Sequence, residues 1–318
     1  MTEAPLIPAP PETVAHVRRP ALGYAMVAVA AVLFGVNGTI AKIVLSSGIS
    51  SLRLSQVRSA GALVLLVLVV LLTRPRSLHV SRRELPLLIL FGVCGVALVQ
   101  LFYFLAIRRL PVGIALLIEY LAPLLVALWA RFVIHEPVRR RIWVALALAL
   151  FGLSLVVDVW SGVSLNGTGV GFALLGALSY VVYLLLADRA VAGRDPMSLL
   201  AYGFFFASVF WAIVQPWSSF PSEVVRSDVS LLGNLSDVQL PVWSLLLFMI
   251  VFGTMIPFAL IVGSLRHLSA TRVGIIAMLE PVAGALIAYF WLDETLGTVQ
   301  LAGGVVVLAA IFLAQTAR

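Results

Sequence analysis

Long runs of apolar residues, separated by short polar tracts, recur along the chain from residue 23 to residue 315. About 20 consecutive apolar residues are enough for a helix to span the hydrocarbon core of a bilayer. The runs therefore predict an all-α integral membrane fold with ten transmembrane helices. The predicted helices cover residues 23–45, 55–72, 85–107, 112–134, 142–160, 168–187, 197–217, 243–265, 273–292 and 298–315.

Residues 1–22 precede the first apolar run and are rich in proline. Proline has no amide N–H and disrupts the helix around it, so this segment is expected to be a disordered cytoplasmic tail. The first run, 23–45, is longer than the apolar core of a signal peptide, so we expect it to stay in the protein as a helix.

Composition supports a membrane protein and argues against nucleic acid as a partner. Hydrophobic residues make up 62% of the 318 residues and charged residues only 11%, against roughly a quarter in soluble proteins. The net charge is +7, but the arginines lie in short tracts between apolar runs. With the N-terminus inside, 15 of the 21 basic residues fall on the cytoplasmic side and 6 on the other. This asymmetry predicts a multi-pass protein of the inner (plasma) membrane with both termini cytoplasmic.

The chain matches itself when it is shifted by 158 residues. The shift pairs Arg108 with Arg266, Leu110 with Leu268, Pro123 with Pro281 and Glu136 with Glu294. Helices three to five thus correspond to helices eight to ten, which predicts two five-helix repeats. Because five is odd, the second repeat must enter the membrane from the opposite side. Such inverted repeats are typical of transporters that bind a substrate near the midplane between their halves.

Two stretches carry a family resemblance: LPVGIALLIEYLAP in the fourth helix and SATRVGIIAMLEPVAGALIAYFWLDETL in helices eight and nine. They are similar to the EamA-type branch of the drug/metabolite transporter superfamily. The first, preceded by LFYFLAIRR, resembles the bacterial threonine/homoserine exporters. The resemblance implies a first EamA-like repeat over 23–160, a second over 168–315, a central cavity, and export of amino acids or related metabolites. Those exporters have asparagine where this chain has Gln100, so a polar contact there would be longer and differently aimed.

Glu119 and Glu280 are the sharpest candidates for substrate binding or proton coupling. Each is predicted well inside an apolar helix, where an ionised carboxylate costs about 2–3 kcal/mol or more unless it is paired or hydrated. Each also lies close to a helix-breaking proline, Pro123 or Pro281, which leaves a backbone carbonyl without its donor. A carboxylate beside a free carbonyl could bind an ammonium group or a proton. The structural alternative is a carboxylate that only hydrogen bonds a neighbouring helix.

Six further polar residues are weaker candidates for the same site. Lys42 and Arg58, near the outer ends of the first two helices, could pair with a substrate carboxylate or with Glu119, or could only extend to the lipid headgroups. The other four stand inside apolar runs, where they could line a cavity or join helices: Asn37, Gln100, Tyr103 and Tyr183. Pro257 is a third predicted helix breaker.

The same residues give no sign of an enzyme or a cofactor. The single cysteine and four scattered histidines predict no metal site, and no nucleotide-binding motif occurs. The sequence therefore predicts a secondary transporter, and an exporter in particular, that uses no cofactor. A drug or other-metabolite carrier, an uptake facilitator and an intramembrane enzyme remain as alternatives. The expected partners are a small-molecule substrate and the lipid bilayer, and a homodimer is left open.

Overall fold

The computed structural model describes residues 19–110, 112–157, 159, 166–293, 295 and 297–316, with only the backbone at 112 and 113. Most of the predicted tail, residues 1–18, and Glu294 lie outside the described residues. The first helix begins at Pro20, so residues 20–22 are helical where a tail was predicted. A proline fits in the first turn of a helix, because the amide N–H there has no helical partner.

The described part of the chain is nearly all helical. The first half contains α1 Pro20–Ser46, α2 Ser51–Thr73, α3 Leu85–Leu90, α4 Leu98–Ile107, α5 Val112–Glu119, α6 Ala122–Phe132 and α7 Arg140–Val156. The second half contains α8 Gly167–Ala190, α9 Pro196–Val214, α10 Ser222–Arg226, α11 Val242–Ile250, α12 Ile256–Ser264, α13 Ala270–Ala277, α14 Leu279–Leu292 and α15 Thr298–Thr316. The connection between α10 and α11 adds a short antiparallel pair, β1 Asp228–Ser230 with β2 Gln239–Pro241.

Within the described residues, nine helical segments are long and apolar enough to cross a membrane. They correspond to nine of the ten predicted helices, with ends that differ by a few residues. The tenth predicted helix corresponds to α7, which is shorter, with 17 residues. The second helix starts at Ser51, earlier than predicted, because the Ser50 side chain caps it by accepting from the Arg53 amide. Arg53 and Arg58 therefore both lie within α2.

Two of these segments change from α- to π-helical geometry midway. Phe91–Ala97 is π-helical between α3 and α4, and Val251–Met255 is π-helical between α11 and α12. The 158-residue shift places the two π segments in corresponding positions. The wider π turn loosens the backbone hydrogen bonding and is frequent at functional sites.

The helices pack in a reciprocal pattern between the two halves. Helix α1 of the first half packs against α12 and α14 of the second. Helix α8 of the second half packs against α4, α5 and α6 of the first. Two further pairs join corresponding helices, α2 with α9 and α7 with α15. The α7–α15 contact is close because Gly152 and Gly303 face each other, and a Cβ built on Gly303 would lie 2.6 Å from the Gly152 carbonyl oxygen.

Arginines tie the loops together at both ends of the bundle. At one end, called here the Arg194 end, Arg194 forms an ion pair with Glu84, and Arg74 forms one with Asp195. Arg266 also donates to the Arg194 carbonyl, at 3.0 Å. Burial lowers the pKa of the Arg266 guanidinium, an effect that Asp195 opposes.

At the other end, called the Arg53 end, the buried Arg53 guanidinium donates to the carbonyls of Pro216 and Ser219 at 3.1–3.2 Å. Gln56 donates to the Gln215 carbonyl at 2.6 Å. Polar side chains at the start of α2 thus bind the segment that follows α9. The α2–α9 pair is therefore held at both ends by polar contacts between the first half and the second.

Candidate substrate site between two broken helices

Two helical segments are interrupted next to a glutamate. Helix α5 ends at Glu119 and α6 begins at Ala122, just before Pro123. Because Pro123 has no amide hydrogen, the Glu119 carbonyl loses its helical donor. In the second half, α13 ends at Ala277 and α14 begins at Leu279. There Pro281 leaves the Ala277 carbonyl without its donor in the same way.

Tyr120 bridges the two breaks. Its Oη lies 2.8 Å from Glu280 Oε2 and 3.1 Å from the Ala277 carbonyl oxygen. Tyr120 belongs to the first half and both acceptors to the second. The carbonyl that Pro281 frees is thus matched by a buried hydroxyl from the opposite repeat.

The Glu119 and Glu280 side chains are both half-buried, and they are near enough for their charges to interact. Glu119 Oε2 lies beside Gly176 of α8, where an added Cβ would be 3.9 Å away, an ordinary contact distance. The Glu119 carboxylate of the first half thus lies against α8 of the second. Two tyrosines, Tyr103 and Tyr180, also interact electrostatically with both glutamates.

Arg58 supplies the positive charge of this cluster. Its Nε donates to Thr254 Oγ1 at 3.0 Å, and its Nη2 donates to the Gly253 carbonyl at 3.0 Å. Both acceptors lie in the second π segment, and Pro257, four residues after Gly253, cannot supply the usual amide donor. The guanidinium also interacts electrostatically with Glu280. Arg58 therefore binds the π segment of the second half. It does not extend to the lipid headgroups, which was the structural alternative.

Three of the predicted polar residues carry buried atoms with no hydrogen-bond partner among the described residues. They are Asn37 Oδ1, Gln100 Oε1 and Tyr183 Oη. An unpaired buried polar atom costs about 1–3 kcal/mol, so these atoms favour a bound water or ligand. Tyr183 also stacks on Phe91 at 5.3 Å between ring centroids. Asn37 packs against Gly253, where any Cβ would collide with the asparagine side chain.

Lys42 differs from the other candidates in its environment. It lies on the exposed side of α1, one turn before the last residue of that helix, Ser46. Among the predicted site residues, the structure brings together Glu119, Glu280, Arg58 and Tyr103. It places Lys42 at the surface of the bundle.

Two of the cavities that the described residues form lie away from this cluster. One, of about 340 Å³, is lined by Asn234, Leu235, Leu286, Ile287, Phe290 and Trp291. The other, of about 170 Å³, lies between α7, α14 and α15. Neither is lined by Glu119 or Glu280. The carboxylates face protein groups rather than either of these cavities.

The comparison with protein families decides the class. The EamA-like transporter family matches residues 21–158 and again residues 167–316. The chain belongs to the EamA-like transporter family. Its two matched copies coincide with the two predicted repeats. The EamA-like resemblance inferred from the sequence is thus confirmed, and the protein is a multi-pass membrane transporter.

Relatives in this family include exporters. The chain is 28% identical over 276 residues to the threonine/homoserine exporter RhtA of Escherichia coli strain K12, covering 85% of this chain and 82% of the relative. It is 25% identical over 255 residues to the pseudopaline exporter CntI of Pseudomonas aeruginosa strain UCBPP-PA14, covering 79% and 83%. A crystal structure with a TM-score of 0.74 and 17% identity covers 93% of this chain and 97% of that one, and it supports the fold alone.

Sequence reasoning missed Tyr120, Thr254 and the Gly253 carbonyl. Tyr120 is the residue after Glu119 and stands inside an apolar run, so a search for polar residues beside Glu119 would have found it. The role of Gly253 has a weaker signal. Gly253 lies four positions before Pro257, and this spacing is the only feature of the sequence that indicates a carbonyl open to another donor.

Proposed function

We propose that this EamA-like transporter exports amino acids or similar small metabolites across the plasma membrane by alternating access. The observation that carries the proposal is a set of charged groups where the two halves meet. Glu280 of the second half is bound by Tyr120 of the first, Arg58 of the first half binds Gly253 and Thr254 of the second, and the charge of Glu119 interacts with that of Glu280. Two carboxylates suit an ammonium group, and a guanidinium suits a carboxylate. A zwitterionic amino acid has both groups. The exporter relatives support the same substrate class, since RhtA is named for threonine and homoserine.

We infer that the chain crosses the membrane ten times, as an inverted repeat. The tenth crossing is α7, whose 17 residues span about 26 Å at 1.5 Å per residue. That length is close to the roughly 30 Å core of a bilayer, and α7 packs along the full-length span α15. The reciprocal packing of α1 and α8 supports a two-fold relation between halves. With ten crossings, the arginine asymmetry puts both termini in the cytoplasm.

Alternating access requires that the halves separate at one end at a time. The Arg194 end and the Arg53 end are each held by polar contacts between loops or helix ends of the two halves. In the proposed cycle, one of these sets opens at a time to let a substrate reach Glu119 and Glu280. The two sets are therefore the proposed gates.

Counterflow in proteoliposomes tests this function. Vesicles loaded with one amino acid would be diluted into trace labelled amino acid, across a panel that includes threonine and homoserine, with and without a pH gradient. We expect transient accumulation of label with at least one amino acid. Folded protein that gives no counterflow with any amino acid would overturn the amino-acid proposal. Counterflow only with organic cations or other metabolites in the panel would assign the alternative carrier.

The pH gradient separates coupled from uncoupled transport. If a proton exchanges for the substrate at Glu119 or Glu280, an inward proton gradient should drive substrate against its own gradient. A protein that equilibrates label but never concentrates it would be a facilitator. Either outcome leaves the substrate assignment from counterflow intact.

A further inference from the structure

Tyr120 has one hydroxyl hydrogen and two acceptors in the opposite half. Its Oη lies 2.8 Å from Glu280 Oε2 and 3.1 Å from the Ala277 carbonyl oxygen. A phenol donates a single hydrogen bond, so the two acceptors compete for it. The hydrogen bond to the carboxylate is the stronger one when that carboxylate is charged. When Glu280 is neutral or paired with a cation, the Ala277 carbonyl becomes the better acceptor.

The exchange of this hydrogen bond depends on the broken helix. The Ala277 carbonyl is available only because Pro281 lacks an amide hydrogen. Tyr120 stands in the other break, between α5 and α6. Both breaks therefore contribute one partner each, and the hydroxyl lies in the contact between the two repeats.

We propose that Tyr120 is a positioning residue that links the charge on Glu280 to the contact between the two halves of the transporter. In the empty, charged site the hydroxyl holds the Glu280 carboxylate. When a proton or a substrate ammonium neutralises that carboxylate, the hydroxyl turns to the Ala277 carbonyl and the halves exchange one contact for another. This inference rests on the proposed function for its role in transport, but the link between Tyr120 and Glu280 can be measured without transport.

The link is one-sided. Under the 158-residue shift, Tyr120 corresponds to Met278, which has no hydroxyl. Among the described contacts, Glu280 thus has a tyrosine donor from the opposite half, and the Met278 side chain can offer Glu119 none. We therefore expect Glu280, more than Glu119, to respond to a change at Tyr120.

Other groups also act on Glu280, and the experiment must hold them constant. Besides Tyr120, the titratable and charged groups that face it are Arg58 of α2, Tyr103 of α4, Glu119 of α5 and Tyr180 of α8. The Tyr120→Phe substitution changes none of them and removes only an oxygen. Tyr289→Phe is the matched control, because Tyr289 is on the same helix as Glu280 but is exposed.

Infrared-monitored pH titration of the reconstituted protein measures the link. The Glu280 part of the protonated-carboxyl signal is the part that Glu280→Gln removes, and Glu119→Gln identifies the Glu119 part in the same way. In Tyr120→Phe, the midpoint of the Glu280 signal should move to higher pH by about one unit, because the charged carboxylate loses a hydrogen bond. The Glu119 signal should move less, and Tyr289→Phe should move neither.

Two results would overturn the inference. One is a Glu280 midpoint in Tyr120→Phe that equals the wild-type midpoint. The other is an equal movement of both glutamates, which would indicate general loosening of the site. If Tyr120→Phe does not fold, Tyr120→Met, which copies the residue at the corresponding position, removes the same hydroxyl and is titrated instead.

Counterflow then tests the role in transport. The pH profile of counterflow in Tyr120→Phe should move in the same direction as the Glu280 signal. Adding Tyr120→Phe to Glu280→Gln should change the residual transport no further, because the two residues act as one unit. Strictly additive losses would contradict the link. Wild-type protein without any counterflow would refute the proposed function, while the infrared titration would still decide the role of Tyr120.

Discussion

Arg58 and Tyr120 donate to two backbone carbonyls, those of Gly253 and Ala277, for which the residue four positions on is a proline and offers no amide donor. Each donor comes from the first half and each acceptor from the second. In a bilayer, no water from the hydrocarbon region can satisfy such carbonyls, so a protein group must do so. The same two side chains also interact with Glu280. Arg58 and Tyr120 therefore both donate to backbone carbonyls of the interrupted helices and interact with the candidate carboxylate, Glu280.

Glu119→Gln tests the other carboxylate directly. The amide keeps the shape and hydrogen-bonding capacity of the side chain but removes its charge and its titrating proton. If Glu119 binds the substrate ammonium or a proton, counterflow should fall at least about tenfold, which corresponds to about 1.4 kcal/mol. Expression and unfolding temperature should be unchanged or higher, because a neutral amide is cheaper to bury than a charge.

Glu136→Gln is the matched control for this substitution. Glu136 is exposed in the connection between α6 and α7. The rate of counterflow by the Glu136→Gln variant should therefore equal that of the wild type. Wild-type rates and pH dependence in Glu119→Gln would contradict a functional role for Glu119 and leave Glu280 as the remaining candidate.

At the scale of the helical element, the breaks within helices and the close contacts between helices have different roles. The α5–α6 and α13–α14 breaks expose polar backbone near the carboxylates, whereas α7 and α15 are held together by a glycine pair. In the pair, Gly152 and Gly303 bring two backbones into direct contact. Small residues at helix contacts are typical of membrane proteins, since lipid gives helices no hydrophobic reason to associate. We therefore expect substitutions in the breaks to affect transport, and substitutions in the glycine pair to affect stability.

Pro281→Ala should restore an amide donor for the Ala277 carbonyl. The α13–α14 break would then close into regular helix, and Tyr120 would lose one of its two acceptors. We expect equal or higher thermal stability in detergent together with about tenfold slower counterflow. Pro196→Ala is the control, since Pro196 occupies the first turn of α9, where no helical hydrogen bond is lost. Full activity in Pro281→Ala would show that the break is dispensable.

Gly303→Val should disrupt the contact between α7 and α15. The added Cβ would lie 2.6 Å from the Gly152 carbonyl oxygen and 2.7 Å from the Leu155 Cβ, so the helices must separate. Overpacking of this kind costs about 1–3 kcal/mol, which should lower the unfolding temperature. Gly38→Ala is the comparison, because a Cβ on Gly38 meets no atom within 4 Å. Equal unfolding temperatures for Gly303→Val and the wild type would contradict the packing.

At the scale of the whole molecule, the apolar runs predicted the membrane spans well because each run is a property of consecutive residues. The site was harder to predict, because its contacts join residues far apart in the chain. Glu119, Glu280 and Arg58 could be named as charges inside apolar runs. That Arg58 would bind the Gly253 carbonyl could not, since this contact depends on how α2 meets a π segment 195 residues away. The tyrosine donor at Glu280 depends in the same way on the meeting of two breaks.

The number of crossings is the last feature that the whole molecule must satisfy, and α7 decides it. If α7 crosses, the segments before and after it lie on opposite sides and the C-terminus is cytoplasmic. The charges at its two ends favour this, because Arg139 precedes α7, Arg140 and Arg141 are its first two residues, and no basic residue follows before Arg189. Reporter fusions after Arg139 and after Asn166 test the crossing directly. Green fluorescent protein should fluoresce at the first site and at residue 318, and alkaline phosphatase should be active at the second and in the 218–241 loop. Phosphatase activity at residue 318, with equal reporter behaviour on both sides of α7, would reduce the crossings to nine. The two halves would then no longer be inverted copies, which would contradict alternating access between them.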